Sequence, residues 1–364
     1  MGVCSIFTHK KVIFLTIGMI IGIWVFLYSK PFYSNSETKG LVDKLQDGQK
    51  INYLVIGDSI GRGSGAETPQ LTWYSQLENM IEREYGSHMG GHYIVQSGAT
   101  SFEGIYKLQN SVISPNTDLV FIVFGENDRK YMLKDDFAEI YENLLRQVKK
   151  RAPHAKMITL IESSLPDEGF AQIIQEISIH YGAISVDMRP VFESSHLSIQ
   201  ELTKDSIHPN GYGYRLYANE LFKTITSLKQ TNEPETLPAI KWAQNDFHLK
   251  GNSQYKRSDG FTKNGLWLQS NKESDQLVFQ FKGPLIGAII LRGPDGGLAN
   301  IYIDGEFHST ISTWWPIQKE RYIYLANNLG QETHELTIIP TGTYSQNNLT
   351  QESYVRIAGI ITIE

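Results

Sequence analysis

The chain of 364 residues contains a single cysteine, Cys4, and this scarcity excludes several kinds of site. The residues after Cys4 can form no disulfide with one another and offer no thiolate to a zinc ion. The HxH and HExxH spacings of zinc enzymes are absent from the sequence. No complete GxGxxG or Walker pattern occurs either. The sequence therefore predicts neither a metal ion nor a nucleotide cofactor.

Positive charge is also limited. Lysine and arginine number 33 against 39 aspartates and glutamates, which gives a formal net charge of −6. The basic residues form no cluster that would neutralise a row of phosphates, as a nucleic-acid-binding face must. We therefore expect no nucleic-acid partner.

One long apolar run stands near the N-terminus. Residues 12–28, VIFLTIGMIIGIWVFLY, carry no charge and reach the lower limit of length for spanning a bilayer. Lys10 and Lys11 precede the run, which favours a cytoplasmic N-terminus. We expect residues 1–29 to be a cytoplasmic tip and transmembrane anchor, and 30–48 a polar stalk. A cleaved signal peptide, which usually ends in small residues that are absent here, and a buried soluble helix are the alternatives.

Residues 49–228 alternate between apolar strands and amphipathic helices, which is typical of a parallel sheet with helices on both faces. Five strands suit a flavodoxin-like three-layer α/β/α domain better than a barrel. The predicted strands are 51–56, 92–98, 118–125, 156–163 and 182–187. The predicted helices are 69–85, 103–113, 134–151, 167–181 and 211–228.

Beyond a linker at 229–238, short strand-like runs separated by Gly, Asn and Asp predict an antiparallel β-sandwich over residues 239–364. Two interpretations of this domain stay open. In the first, the sandwich folds alone and holds polymeric substrate. In the second, the sandwich packs on the α/β domain and mainly stabilises that domain. Four tryptophans are candidates for stacking on sugar rings, although such residues more often lie in a core: Trp242, Trp267, Trp314 and Trp315.

Polar residues follow the strands of the first domain, where the crevice of an open α/β sheet binds ligands. Ser59 follows the first strand in the stretch VIGDSIGRGSG, and Asp205 stands three residues before His208 in DSIHPN. A hydrolytic serine needs a base within hydrogen-bond reach and a carboxylate that fixes the tautomer of that base. Ser59, His208 and Asp205 match these needs as nucleophile, base and orienting acid.

A developing oxyanion also needs donors fixed in advance. The backbone N–H groups of Ser59 and Gly98 and the side-chain amide of Asn127 are the candidates. Each residue has a simpler explanation as a helix cap, a turn residue or an ordinary histidine. Four unrelated turns with matching polar ends at one sheet edge favour the catalytic explanation.

The four blocks GDS, SGA, GEND and DSIHPN resemble those of the SGNH hydrolases, also called GDSL-like esterases, over roughly residues 50–228. The resemblance implies that Ser59 is the nucleophile, His208 the base and Asp205 its partner, with Ser59, Gly98 and Asn127 as oxyanion donors. Isoleucine follows GDS where the family commonly has leucine. In the second domain, residues 293–306 and 334–342 resemble the galactose-binding-like jelly rolls attached to many glycan-active enzymes.

Together these features predict a membrane-anchored serine esterase that acts outside the cytoplasmic membrane. We expect it to remove O-acetyl groups from a cell-envelope or secreted polysaccharide, without a cofactor. Three alternatives remain: a lipid esterase or lysophospholipase, an acyl transferase acting on a glycan, and a non-catalytic glycan-binding protein. A wide apolar groove would indicate the lipid esterase, whereas the loops around GRGSGAETPQLTW and GENDRKYM are polar.

Overall fold

The computed structural model describes residues 39–229, 237–244 and 246–364. The apolar run at 12–28 and most of the linker at 229–238 lie outside these residues. Within the described ranges, every helix is too short or too polar to cross a membrane.

The α/β domain contains a five-stranded parallel sheet in the order β2-β1-β3-β4-β5. This is the flavodoxin-like order, which confirms the fold class predicted for the first domain. The strands are β1 Ile51–Gly57, β2 Met89–Val95, β3 Leu119–Val123, β4 Lys156–Ile161 and β5 Ile184–Asp187. The helices are α1 Leu41–Gln46, α2 Trp73–Tyr85, α3 Ser101–Gln109, α4 Lys134–Arg151, α5 Glu168–His180, α6 Arg189–Ser194, α7 Ile199–Leu202 and α8 Gly211–Thr226.

Several predicted elements have shifted bounds in the structure, such as α2, which begins at 73 rather than 69, and α3, which ends at 109 rather than 113. The structure differs from the sequence prediction at three other places. Helix α1 lies within the predicted stalk, and its Leu41 and Leu45 are buried against the α/β core. Strand β2 begins at Met89 rather than at 92, because two glycines separate the buried Met89 from the later apolar residues of this partly exposed edge strand. The short helices α6 and α7 are additional elements between β5 and α8.

The C-terminal region is an all-β sandwich of two antiparallel sheets, as predicted. One sheet has the order β13-β12-β15-β10-β7, and the other has the order β14-β11-β16-β9-β8 with β6 paired to β16. Alternating side chains point between the sheets, as in β12, where every second residue is buried. The strands are β6 Leu249–Asn252, β7 Arg257–Asp259, β8 Thr262–Asn264, β9 Trp267–Ser270, β10 Gln276–Lys282, β11 Ile286–Arg292, β12 Gly297–Ile303, β13 Glu306–Ser312, β14 Lys319–Ala326, β15 Thr333–Tyr344 and β16 Val355–Ile363.

The sandwich has a hydrophobic cluster of its own, and a second cluster extends across both the sandwich and the α/β domain. Phe102 of α3 belongs to the same buried cluster as Leu249, Tyr324 and Ile361 of the sandwich. Removing the sandwich would return this apolar surface to water at a cost of about 25 cal/mol per Å². Of the two interpretations, this packing supports the one in which the sandwich stabilises the first domain.

Helix α4 shows why the two parts need each other. Glu142 accepts hydrogen bonds from the backbone N–H groups of residues 241, 242 and 243 at 2.6–2.9 Å. Asp136 accepts from Tyr324 at 3.0 Å and from Asn328 at 2.7 Å. Both carboxylates are buried. The polar side of α4 is therefore satisfied by the C-terminal region rather than by water alone.

Candidate active site

Ser59 lies in the turn that follows β1, with only 6% of its surface exposed. Gly57, the last residue of β1, packs closely on the neighbouring strand: a Cβ there would lie 3.0 Å from the Cβ of Val123. Gly65 has φ +103°, and a Cβ there would come within 2.8 Å of the Cβ of His208. Gly65, the last glycine of GRGSG, thus brings the serine turn close to the histidine loop.

The loop between α7 and α8 brings His208 to Ser59. The His208 Nε2 atom lies 3.0 Å from the Ser59 Oγ atom, across 149 positions of sequence. On the other side of the ring, His208 Nδ1 lies 2.8 Å from Asp205 Oδ2. The Asp205 carboxylate also accepts the backbone N–H of His208 at 2.9 Å, which fixes the loop. The three predicted residues therefore form one continuous chain of hydrogen bonds.

The ionised state of Asp205 decides how the histidine is used. Partial burial disfavours its charge, but hydrogen bonds from the backbone and the side chain of His208 outweigh this and lower the pKa of Asp205. An ionised Asp205 accepts the proton on Nδ1, which leaves Nε2 as the acceptor for the Ser59 hydroxyl. This is the tautomer that a general base requires.

The predicted oxyanion donors lie at the same edge of the sheet. Gly98 follows β2, and Asn127 follows β3, the two strands that flank β1. Asn127 donates its side-chain Nδ2 to Asp58 Oδ2 at 2.6 Å, and Asp58 is the residue before Ser59. This bond uses one of the two amide hydrogens and aims the other away from Asp58.

Three carboxyl groups are buried beneath this edge, a feature that the sequence prediction missed. Burial raises the pKa of Asp58 and of Asp128 to about 6, although both accept hydrogen bonds that oppose the shift. Burial and the neighbouring Asp58 also raise the pKa of Glu162 well above its usual range. Burial and the nearby Asp58 therefore both disfavour the charged form of Glu162.

The second unpredicted contribution comes from the sandwich. Arg321 of β14, 1% exposed, binds Glu103 of α3 through Nε and Nη2 at 2.8–3.2 Å. The same Nη2 donates to the carbonyl oxygen of Gly98 at 2.9 Å. The Arg321 guanidinium also lies over the ring of Trp315, 5.4 Å from its centre. The sandwich therefore helps to fix the backbone that carries a candidate oxyanion donor.

Of the candidate tryptophans, Trp242 packs against another side chain, whereas Trp314 and Trp315 line a cavity near the candidate site. Trp242 packs against His180 with ring centres 5.5 Å apart, and Lys241 Nζ lies over the Trp242 ring, 4.4 Å from its centre. Trp314 and Trp315 do not continue β13, which ends at Ser312, and both half-buried side chains line one cavity beside Gly98. Adjacent side chains of a strand point to opposite faces, but Trp314 and Trp315 lie outside a strand and line the same cavity.

Known proteins of similar structure have the fold described above. Residues 55–216 match the GDSL-like lipase/acylhydrolase family. A two-domain esterase (CEX) active on acetylated mannans is 17% identical, with a TM-score of 0.66 over 88% of this chain and 93% of that chain. Its structure with mannopentaose gives 17% identity and a TM-score of 0.65 over 88% and 94%. A Clostridium thermocellum family 3 carbohydrate esterase aligns with 48% of this chain and 94% of its own, at 17% identity and a TM-score of 0.41. No curated protein matches the sequence.

Proposed function

We propose that the protein is a serine ester hydrolase with Ser59 as nucleophile, His208 as general base and Asp205 as the orienting acid. The match of residues 55–216 to the GDSL-like lipase/acylhydrolase family supports this proposal. The observation that carries the proposal is the hydrogen-bonded chain from Ser59 Oγ through His208 to Asp205, with links of 3.0 and 2.8 Å. Nucleophilic acyl transfer requires a serine, a base within hydrogen-bond reach of it, and a group that orients the base.

In the first step, Ser59 Oγ attacks the ester carbonyl while His208 Nε2 takes its proton. The N–H groups of Ser59 and Gly98 and the amide of Asn127 stabilise the oxyanion. His208 then gives the proton to the leaving alcohol, which leaves an acyl group on Ser59. A water molecule, deprotonated by His208, releases the acid and restores the serine. Asp205 keeps the imidazolium stable in both halves of the cycle.

Hydrolysis is favoured over acyl transfer by the openness of the site. The side chains of His208 and Asp205 are 27% and 49% exposed. Water therefore reaches the base directly, whereas transfer to a sugar needs a site from which water is excluded. An acyl transferase would be indicated if a sugar acceptor took most of the acyl group in place of water.

The substrate that we propose is an O-acetylated polysaccharide. The fold similarity to the esterase active on acetylated mannans includes the sandwich, since it covers 88% of this chain. The cavity beside Gly98 is lined by Trp314, Trp315 and several polar or charged side chains. A lipid esterase would need a wide apolar groove at this position. The mixed lining supports the glycan over the lipid.

A phosphonate ester that reacts with activated serines tests the mechanism. Mass spectrometry of the intact protein should show one adduct, and peptide mapping should place it on Ser59. The variant His208→Ala should react far more slowly, because its serine has no base. An adduct on another residue, or equal labelling of His208→Ala, would contradict the assignment.

We also propose that residues 12–28 anchor the enzyme with its catalytic domain outside the cytoplasmic membrane. The support is the uncharged apolar run and the two lysines before it. Protease added to intact spheroplasts should release the catalytic domain. Protection of that domain would reverse the orientation, and a mature protein that begins near residue 30 would establish cleavage.

A further inference from the structure

A cavity of about 530 Å³ lies between the α/β domain and the sandwich. Gly98 and Thr100 contribute one wall, and strands β13 and β14 with Trp314 and Trp315 contribute the other. The cavity begins at Gly98, a candidate oxyanion donor, while Ser59 and His208 lie outside its lining. A group bound there would sit beside the reacting acyl group without taking its place.

Two arginines, Arg292 and Arg321, line this cavity. Arg321 is 1% exposed, and its Nη1 atom is buried without a hydrogen-bond partner among the described residues. The Nε atom of Arg292 is likewise buried and has no hydrogen-bond partner in the described part of the chain. Buried donors of charged groups are costly to leave unsatisfied, so the pair points to an acceptor that enters the cavity.

The charges around the two arginines do not balance. Glu103 is shared between Arg321 and Lys107, at 2.8 and 3.0 Å. Lys130, also on the lining, is paired with Glu126. No salt bridge joins Arg292 to a carboxylate within the described ranges, where its electrostatic neighbours are Tyr131, Arg321 and the already paired Glu103. Burial and the positive charge of Arg321 accordingly lower the pKa of Arg292 to about 10.

We propose that this cavity binds an anionic group of the glycan substrate, a carboxylate or a phosphate, on a sugar near the acylated one. Guanidinium groups match both anions with paired N–H donors, and Trp314 supplies an apolar face for the sugar ring. The proposal rests on the esterase function proposed above and narrows it to acidic polysaccharides. The net charge of −6 repels such polymers overall, so any preference for them must come from a local site.

The test compares three chemically acetylated polymers of matched acetyl content: mannan, polygalacturonan and phosphomannan. Acetate release gives kcat/KM on each for the wild type, for Arg292→Gln and for the control Arg257→Gln. Arg257 is an arginine on β7 whose side chain is 56% exposed and paired with Asp259. The p-nitrophenyl acetate ester, too small to reach both sites, is measured in parallel.

The wild type should prefer at least one charged polymer over mannan, and high salt should reduce that preference. Arg292→Gln should lower kcat/KM on that polymer about ten- to a hundredfold. This is the loss expected when one hydrogen bond to a charged group is removed. Its losses on mannan and p-nitrophenyl acetate should be much smaller, and Arg257→Gln should keep the preference. Preference for polygalacturonan assigns a carboxylate, and preference for phosphomannan assigns a phosphate.

The proposal is overturned if the wild type favours mannan or shows no preference, a result that does not depend on how the variant folds. It is also overturned if Arg292→Gln loses activity equally on every substrate, since that pattern indicates a structural role. A wild type that releases acetate from none of the polymers and cleaves no p-nitrophenyl acetate would instead refute the esterase function itself.

Discussion

Replacing Arg321 by methionine tests whether the sandwich supports the active site. Methionine keeps most of the apolar stem but removes the guanidinium that binds Glu103 and the Gly98 carbonyl. Glu103, 1% exposed, would be left with Lys107 as its salt-bridge partner. Breaking one side of a buried ion pair costs about 3–5 kcal/mol. For a cooperative unit of roughly 320 residues, this corresponds to a Tm lower by about 4–7 °C.

The same change should affect catalysis, because Arg321 positions Gly98 although it does not touch the reacting atoms. We expect kcat on p-nitrophenyl acetate to fall about ten- to a hundredfold with KM nearly unchanged, less than the loss of a deleted oxyanion donor. Arg356→Met is the matched control. Arg356 is largely buried and forms an ion pair with the partly exposed Asp295 within the sandwich, at 2.5 and 2.8 Å, and its hydrogen-bond partners in the described part of the chain do not include Gly98.

The assay therefore combines thermal unfolding with steady-state kinetics on both variants. Both should lose stability, and Arg321→Met alone should lose kcat. An Arg321→Met enzyme with wild-type kcat would refute the positioning role. Equal loss of kcat in the two variants would show that the effect follows from stability and not from Gly98.

Three further predictions concern the donor, the domain boundary and pH. Asn127→Ala should lower kcat about 100- to 1000-fold; an effect on KM alone would assign Asn127 to substrate binding. A protein that ends at residue 229 should unfold at lower temperature and lose activity on small and polymeric esters alike, because one of its hydrophobic clusters extends into the sandwich; unchanged cleavage of p-nitrophenyl acetate would contradict this. Asp58 and Asp128 hold protons up to about pH 6 in the folded state. The free energy of unfolding should therefore fall as pH rises from about 4 to about 6; a rise in urea denaturation midpoint through that window would contradict it.

The sequence was sufficient to predict that Ser59, His208 and Asp205 lie together, because their signals are local. Ser59 follows an apolar strand that ends in glycine, and Asp205 and His208 share one short loop. Parallel strands bring such turns to one edge of the sheet, so the meeting of distant turns needs no further information. Helix α4 was predicted with its observed bounds, 134–151, since its apolar periodicity is strong and long.

The features that the sequence does not predict depend on contacts between residues far apart in the sequence or on elements too short to show a pattern. Arg321 and Glu103 are 218 positions apart, and each by itself has the sequence signature of a solvent-exposed residue. The pairing becomes visible only when the sandwich is docked on α3. The short helix α1 carries too few residues for a clear periodicity, and its two buried leucines were therefore placed in a stalk. The residues of the predicted membrane anchor lie outside those that the structure describes.

The most direct test of the central claim is acetate release from an acetylated polysaccharide by the wild type and by Ser59→Ala, with Tm measured on both. The account predicts release by the wild type and a loss of about 10⁴- to 10⁶-fold in kcat for Ser59→Ala, the range seen when a triad member is removed. The Tm should stay close to that of the wild type, because a buried hydroxyl is lost without a cavity larger than one atom. Substantial acetate release by a folded Ser59→Ala enzyme would contradict the account.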